Sequence, residues 1–102
     1  AIALPVGVEF NAVVSAESVK EIGLAMGLDI ANLSAVEASK IIVDKLKELN
    51  KKLNIPTLGE AGVKKEELKT LAEATMKEQI VLMATPRKLT EESALKLLEK
   101  MY

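Results

Sequence analysis

Residues 34–53 read SAVEASKIIVDKLKELNKKL and carry the clearest structural signal in the chain. Ser34, followed three residues later by Glu37, forms a capping box, in which each side chain accepts a hydrogen bond from the backbone N–H of the other residue. Apolar residues then recur at helical spacing, with lysines and glutamates on the opposite side, at Ala38, Ile41, Ile42, Leu46, Leu49 and Leu53. This pattern predicts a long amphipathic helix, which Asn54 ends and Pro56 prevents from continuing.

Shorter signals on either side of this helix predict further helices. Ser15 is a good N-cap for a helix over 16–26, which Gly27 can end in a left-handed conformation. Two more helices are predicted over 65–76 and over 91–101, the second of them capped by Thr90. The sequence therefore predicts an all-α fold, a helical bundle of about four to five helices.

Two apolar segments fit this scheme less clearly. Residues 1–14, AIALPVGVEFNAVV, contain one charge and are predicted to form a buried segment that is irregular or briefly helical, since Pro5 is tolerated in a first turn but not in a helix interior. Residues 80–83, IVLM, are predicted to form a short buried turn or helix, because a lone strand would have no partner. Part of this apolar surface is expected to face a missing partner.

Composition excludes several classes of function. With 14 basic and 15 acidic residues the net charge is −1, which argues against nucleic-acid binding and against binding to anionic membranes. No apolar run reaches the ~18–20 residues of a membrane span. Cysteine and histidine are both absent, which excludes thiol nucleophiles, Ser-His-Asp catalysis and Cys/His zinc sites within this chain. The lack of cysteine suits a reducing compartment, so a cytoplasmic location is predicted.

Few individual residues suggest chemistry, and no catalytic, cofactor-binding or metal-binding residue is assigned. Glu9 is interpreted either as a surface residue or as a contact to a missing domain, and Asn11 as a turn or cap residue. Arg87 is either a surface arginine or an interdomain or pocket-wall contact, since a guanidinium can hold two segments in a fixed geometry. Five glutamates could act in acid–base catalysis but are expected on solvated helix surfaces: Glu60, Glu66, Glu67, Glu73 and Glu78.

Five short motifs follow one another along the chain, and together they resemble a known family. The motifs are Ala1-Ile2-Ala3-Leu4-Pro5 with Glu9-Phe10-Asn11, Ile22–Gly27, Leu53–Leu58, Gly62-Val63 with Leu68 and Leu71-Ala72-Glu73-Ala74, and Thr85-Pro86-Arg87 with Thr90-Glu91. In order and spacing they resemble the C-terminal portion of the iron-containing (group III) alcohol dehydrogenases, after the last metal-ligand histidine. Thr85 and Asn54 depart from the pattern, since the family usually has Asn and Gly there.

The resemblance implies a two-domain parent enzyme that transfers hydride between an alcohol or aldehyde and NAD(P). Its N-terminal α/β half would bind NAD(P), and its helical C-terminal half would hold iron, or another divalent metal, through one Asp and three His. None of these ligands falls within 1–102, which is interpreted as a single all-helical (sub)domain and a fragment of that enzyme.

The fragment hypothesis carries further expectations. The chain would support the site structurally, be inactive alone, have the missing N-terminal part of the parent as its partner, and self-associate when isolated. The alternative is a free-standing helical protein-interaction module without catalysis, which would present residues 1–14 or 80–83 to another protein.

Overall fold

The structure, a computed structural model, describes all residues from 1 to 102 and contains helices but no strand. In chain order the helices are α1 (Ala3–Ala25), α2 (Ala35–Lys52), α3 (Glu67–Thr75), α4 (Gln79–Ala84) and α5 (Glu91–Met101). The all-α prediction with four to five helices is therefore confirmed. None of these helices combines the length and the apolar character that crossing a membrane requires.

The second helix forms as its sequence predicts. The Ser34 side chain accepts a hydrogen bond from the Glu37 N–H at 3.2 Å, and the Glu37 carboxylate accepts one from the Ser34 N–H at 3.1 Å. Asn54 has a φ of 55°, the left-handed conformation that often follows a helix C-terminus. The capping box and the stop at Asn54 thus set both ends of α2, and Thr90 caps α5 in the same way as Ser34 caps α2.

The first helix begins earlier than predicted. The predicted start at Ser15 is wrong, because α1 runs from Ala3 to Ala25 and includes most of the 1–14 segment. Ser15 is instead a kink inside the helix, with φ −132° and ψ 34°. Pro5 does not interrupt the helix because it lies in the first turn, where no helical hydrogen bond needs its missing N–H.

The predicted burial of the two apolar segments is wrong in part. Pro5 and Val6 are buried, but Leu4, Val13 and Val14 in the same segment are exposed. Residues 80–83 do form a short helix, α4, but they do not form a buried one: Ile80 is 86% exposed and Met83 is 85% exposed. The reason is that α4 packs against no other helix, although Leu82 in its middle is half-buried.

Two helix pairs make up the molecule: α1 packs along α2, α3 packs against α5, and a smaller contact between α1 and α5 joins them. The main core lies between α1, α2 and the loop that connects them, and consists of Val19, Ile30, Ala38 and Ile42. The molecule measures 43 × 31 × 18 Å. Its smallest dimension is about the width of two packed helices, so the protein is flat and buries few side chains.

Candidate functional site

Residues 9–11 of α1 lie where several elements meet. The Glu9 carboxylate is 3.9 Å from the Lys47 ammonium of α2 and 3.5 Å from the Lys100 ammonium of α5. These side chains are about half exposed, and exposed ion pairs contribute only about 0–1 kcal/mol. Glu9 is therefore a surface residue whose charged partners belong to this chain.

Arg87 connects the loop after α4 to the same part of α1. Its Nη1 donates a hydrogen bond to the Phe10 carbonyl oxygen at 3.2 Å, and its guanidinium carbon lies 4.3 Å from the centroid of the Phe10 ring. The guanidinium thus combines a charge-assisted hydrogen bond with a cation–π contact. Arg87 does hold two distant segments together, but both belong to this chain, and its contact with another domain or with a pocket stays a prediction.

Asn11 occupies an unusual position. It lies inside α1, so its assignment as a turn or cap residue is wrong. Its side-chain oxygen is buried, and no donor in the chain reaches it. An unsatisfied buried acceptor lowers the free energy of unfolding by about 1–3 kcal/mol. The sequence does not reveal that this oxygen is buried, because burial at position 11 depends on packing between elements.

The residues present do not form a metal centre. No group of three or more Asp, Glu, His or Cys side chains is arranged to hold a metal ion, so the iron that the resemblance implies has no ligand set in this chain. The five glutamates singled out as candidate acids or bases are all exposed, as expected: Glu60, Glu66, Glu67, Glu73 and Glu78.

One carboxylate has a perturbed pKa, and its lysine neighbours on the same helix account for the shift. Lys52 and then Lys45, through their hydrogen bonds and charges, hold the pKa of Glu48 below its ordinary value. Lys52 lies 3.0 Å and Lys45 3.2 Å from the Glu48 carboxylate, along the solvated side of α2. The shift therefore reflects pairing along one helix surface.

Another contact fixes the beginning of α1. The Asn50 side-chain amide of α2 donates a hydrogen bond to the Ala1 carbonyl oxygen at 2.9 Å. Together with the burial of Pro5 and Val6, this contact holds the first turn of α1 against α2. The fold thus presents a braced helical start and an exposed α4.

These features define a class of protein: an all-helical domain whose internal contacts brace one long kinked helix. Residues 1–102 match the C-terminal region of the Fe-containing alcohol dehydrogenase family along their whole length. The chain belongs to this family, and the resemblance seen in its motifs is confirmed.

Relatives and solved structures agree with this assignment. The lactaldehyde reductase of Escherichia coli K12 is 32% identical over 98 residues, which make up 95% of this chain and 25% of that protein, and the lactaldehyde reductase of E. coli O157:H7 gives the same values. The chain thus spans about a quarter of the length of the curated relatives it matches.

The fold is shared with two solved enzymes. The structure of 1,3-propanediol oxidoreductase matches with a TM-score of 0.91 at 24% identity, over 99% of this chain and 26% of that one. The alcohol dehydrogenase from Oenococcus oeni matches with a TM-score of 0.90 at 27% identity, over 99% of this chain and 26% of its own. The arrangement of helices α1 to α5 therefore belongs to a fold that these enzymes contain.

Proposed function

We propose that this chain is the helical C-terminal part of a metal-dependent, NAD(P)-linked alcohol dehydrogenase, and that it supports an active site whose metal and cofactor ligands lie elsewhere in a longer polypeptide. The observation that carries the proposal is the family match over residues 1–102, combined with relatives of which this chain covers only 25%. In such an enzyme the metal polarises the substrate oxygen and the nicotinamide carries the hydride.

The role of this chain's own residues in the proposal is positional. Asn50 holds the Ala1 carbonyl just before α1, and Arg87 holds the Phe10 carbonyl within α1. The first part of α1 is therefore fixed at two points. A catalytic group must be held within a fraction of an ångström to act efficiently. A braced α1 would give the polypeptide that leads into it a fixed direction. A cytoplasmic location is part of the same proposal, supported by the lack of cysteine.

In the test, this chain replaces the matching C-terminal region of the E. coli lactaldehyde reductase, which gives a hybrid enzyme. We expect the isolated chain to show no NAD(P)H-dependent reduction of lactaldehyde and the hybrid enzyme to show it. In a second hybrid, the equivalent region of 1,3-propanediol oxidoreductase replaces the same part of the lactaldehyde reductase. This control shows whether the lactaldehyde reductase stays active when its C-terminal region is replaced. Turnover by the isolated chain would contradict the proposal, as would a folded but inactive hybrid beside an active control hybrid.

A second candidate function, a free-standing helical interaction module, is favoured by the exposure of α4. Ile80 and Met83 are three residues apart on that helix, so they share a side and present apolar surface to solvent. Substituting both by Asp in the hybrid separates the two functions. Lost activity or poor folding of the hybrid supports the dehydrogenase proposal, because the rest of the enzyme then covers α4. An unaffected hybrid supports the module.

A further inference from the structure

The segment between the end of α3 and the Arg87 contact, residues 77–86, lies almost entirely in solvent. It contains α4, and within it only Leu82 and Thr85 are half-buried, while all its other residues are exposed. Because α4 packs against no other helix, burial of apolar surface contributes little to holding this segment in place. Residues 77–86 are called the strap below.

Every hydrogen bond of the strap is local. The N–H groups of Lys77 and Glu78 donate to carbonyl oxygens in the last turn of α3, each at 3.1 Å. The Leu82 N–H donates to the Glu78 carbonyl oxygen at 3.1 Å, and the Thr85 hydroxyl donates to the Leu82 carbonyl oxygen at 3.0 Å. No hydrogen bond or ion pair joins the strap to any part of the chain outside residues 74–86.

The helix inside the strap is too short to be stable by itself. The helix α4 has six residues, and Glu78, which precedes it, provides no side-chain cap. Isolated helices shorter than about 12–15 residues are marginal in water, because nucleation fixes several residues for the first hydrogen bond. The conformation of α4 therefore depends on the packing of Leu82 and on how firmly the two ends of the strap are held.

Both ends of the strap are anchored. Before it, α3 is fixed in its helix pair by Leu68 and Ala72, which are 2% and 1% exposed. After it, Arg87 donates to the Phe10 carbonyl oxygen and stacks on the Phe10 ring. Pro86 has a fixed φ and restricts the residue before it, so the strap enters the Arg87 contact through a stiff connection. A segment with fixed ends and a weakly held middle can open without separating the two helix pairs.

We propose that the strap is a conformational device: its middle detaches from the bundle and returns, and the contact of Arg87 with Phe10 is the catch that confines this opening to residues 77–86. Local opening costs only the contacts that are lost, and the moving loops and lids of proteins come from regions with few buried contacts. Detachment would add Leu82 to the apolar surface that Ile80 already presents to solvent. The inference goes beyond the proposed function and requires no active site.

Hydrogen exchange of the purified 102-residue chain, followed by mass spectrometry, tests the opening of the strap. We expect the helical amides near the end of α4, such as those of Met83 and Ala84, to exchange at least roughly tenfold faster than helical amides of α3 and α5. Exchange should already be fast without urea, since the opening leaves the helix pairs intact.

A matched pair of variants tests whether Leu82 holds the strap. Leu82→Ala removes the half-buried side chain, and Ile80→Ala removes one that is 86% exposed on the same helix. Alanine is the better helix former at both positions, so helix propensity alone would slow exchange in both variants. We expect Leu82→Ala to speed exchange in the strap at least roughly threefold and Ile80→Ala not to speed it, with α3 and α5 unchanged in both.

Limited digestion with trypsin tests the catch. Trypsin cuts after lysine where the backbone is open, so cleavage after Lys88 reports on the loop beyond the catch. Cleavage after Lys45, inside α2, reports on unfolding of the bundle. Arg87→Lys should raise the rate of cleavage after Lys88 at least roughly threefold more than the rate after Lys45. A general loss of stability would raise both rates by the same factor, and circular dichroism establishes that the variant is folded.

The proposal is wrong if the α4 amides are protected as strongly as those of α3, if Leu82→Ala and Ile80→Ala change exchange equally, or if Arg87→Lys raises both cleavage rates by the same factor. All three measurements use the 102-residue chain without any other polypeptide. An inactive hybrid enzyme would therefore leave the strap proposal standing, and a strap that never opens would leave the dehydrogenase proposal standing.

Discussion

At the scale of single residues, Gly23 shows how closely α1 and α2 approach. A Cβ atom at this position would lie 2.5 Å from the terminal methyl groups of both Ile30 and Ile42. These two isoleucines are 1% and 0% exposed, so neither can move aside without disturbing the core. The absence of a side chain at residue 23 is thus a condition for the packing of the first helix pair.

Gly23→Ala should lower the free energy of unfolding by about 1–3 kcal/mol, since it overpacks the core. Gly7→Ala is the matched control. Gly7 also lies within α1, but an added Cβ there meets nothing within 4 Å. Removing this glycine should raise the free energy of unfolding by up to about 1 kcal/mol through helix propensity. Urea unfolding of both variants measures the difference, and a shift of the same sign in both would contradict the packing argument.

Arg87→Lys should lower the free energy of unfolding by about 1–2 kcal/mol, although it keeps the charge. Lysine lacks the planar guanidinium that stacks on Phe10 while also donating to its carbonyl oxygen. Lys88→Ala is the control, because Lys88 is exposed and makes no ion pair or side-chain hydrogen bond. Equal stability of the two variants in urea would show that the contact of Arg87 with Phe10 does not stabilise the fold.

The sequence could not predict this contact. Arg87 and Phe10 are 77 positions apart, and their meeting depends on how the loop after α4 crosses α1. The sequence left Arg87 open between a surface arginine and an interdomain or pocket-wall contact, and it did not reveal that Phe10 is the partner. The same holds for the buried oxygen of Asn11, whose surroundings come from packing alone.

At the scale of secondary structure, prediction succeeds where short-range contacts determine the ends of a helix. For α2, the capping side chains lie within three residues of each other and the stop residues follow directly, so its bounds could be predicted. For α1, Ser15 is a residue type that favours a helix start, but the residues on both sides of it are helical. Ser15 therefore lies at a kink within α1 and not at its beginning. For α4, the sequence indicated the helix but not its exposure, which depends on neighbours that the chain does not supply.

Ser34→Ala should lower the free energy of unfolding by about 1 kcal/mol, because the amide at the start of α2 loses its acceptor. The effect should be local, so hydrogen exchange should accelerate most in the first turn of α2. Ser18→Ala is the control, since Ser18 is exposed within α1 and makes no side-chain hydrogen bond. Faster exchange spread evenly over the molecule would argue against a capping role for Ser34.

At the scale of the whole molecule, the two helix pairs differ in how much they bury. The α1–α2 pair and its connecting loop contain the four-residue core, while the buried apolar residues of the α3–α5 pair are Leu68, Ala72 and Ala94. Two of these three are alanines, which contribute little apolar area. Because stability follows buried apolar surface, the second pair should be the less stable part of the fold.

Native-state hydrogen exchange should therefore show α3 opening before α2. We expect backbone amides near Ile42 to be protected at least roughly tenfold more than those near Leu68. The difference should shrink as urea brings the molecule to global unfolding, where all amides exchange together. Uniform protection throughout would mean that the small contact between α1 and α5 couples the two pairs fully.

The flatness of the protein also bears on how its sequence can diverge. Only 12 of the 102 residues are buried, so the side chains that the interior constrains strictly are few. The same architecture occurs with a TM-score of 0.91 at 24% identity, so it is kept while most positions differ. In this thin fold a handful of buried residues such as Gly23 and Ile42 preserve the shape of the first helix pair, and the remaining surface is constrained only where another polypeptide segment covers it.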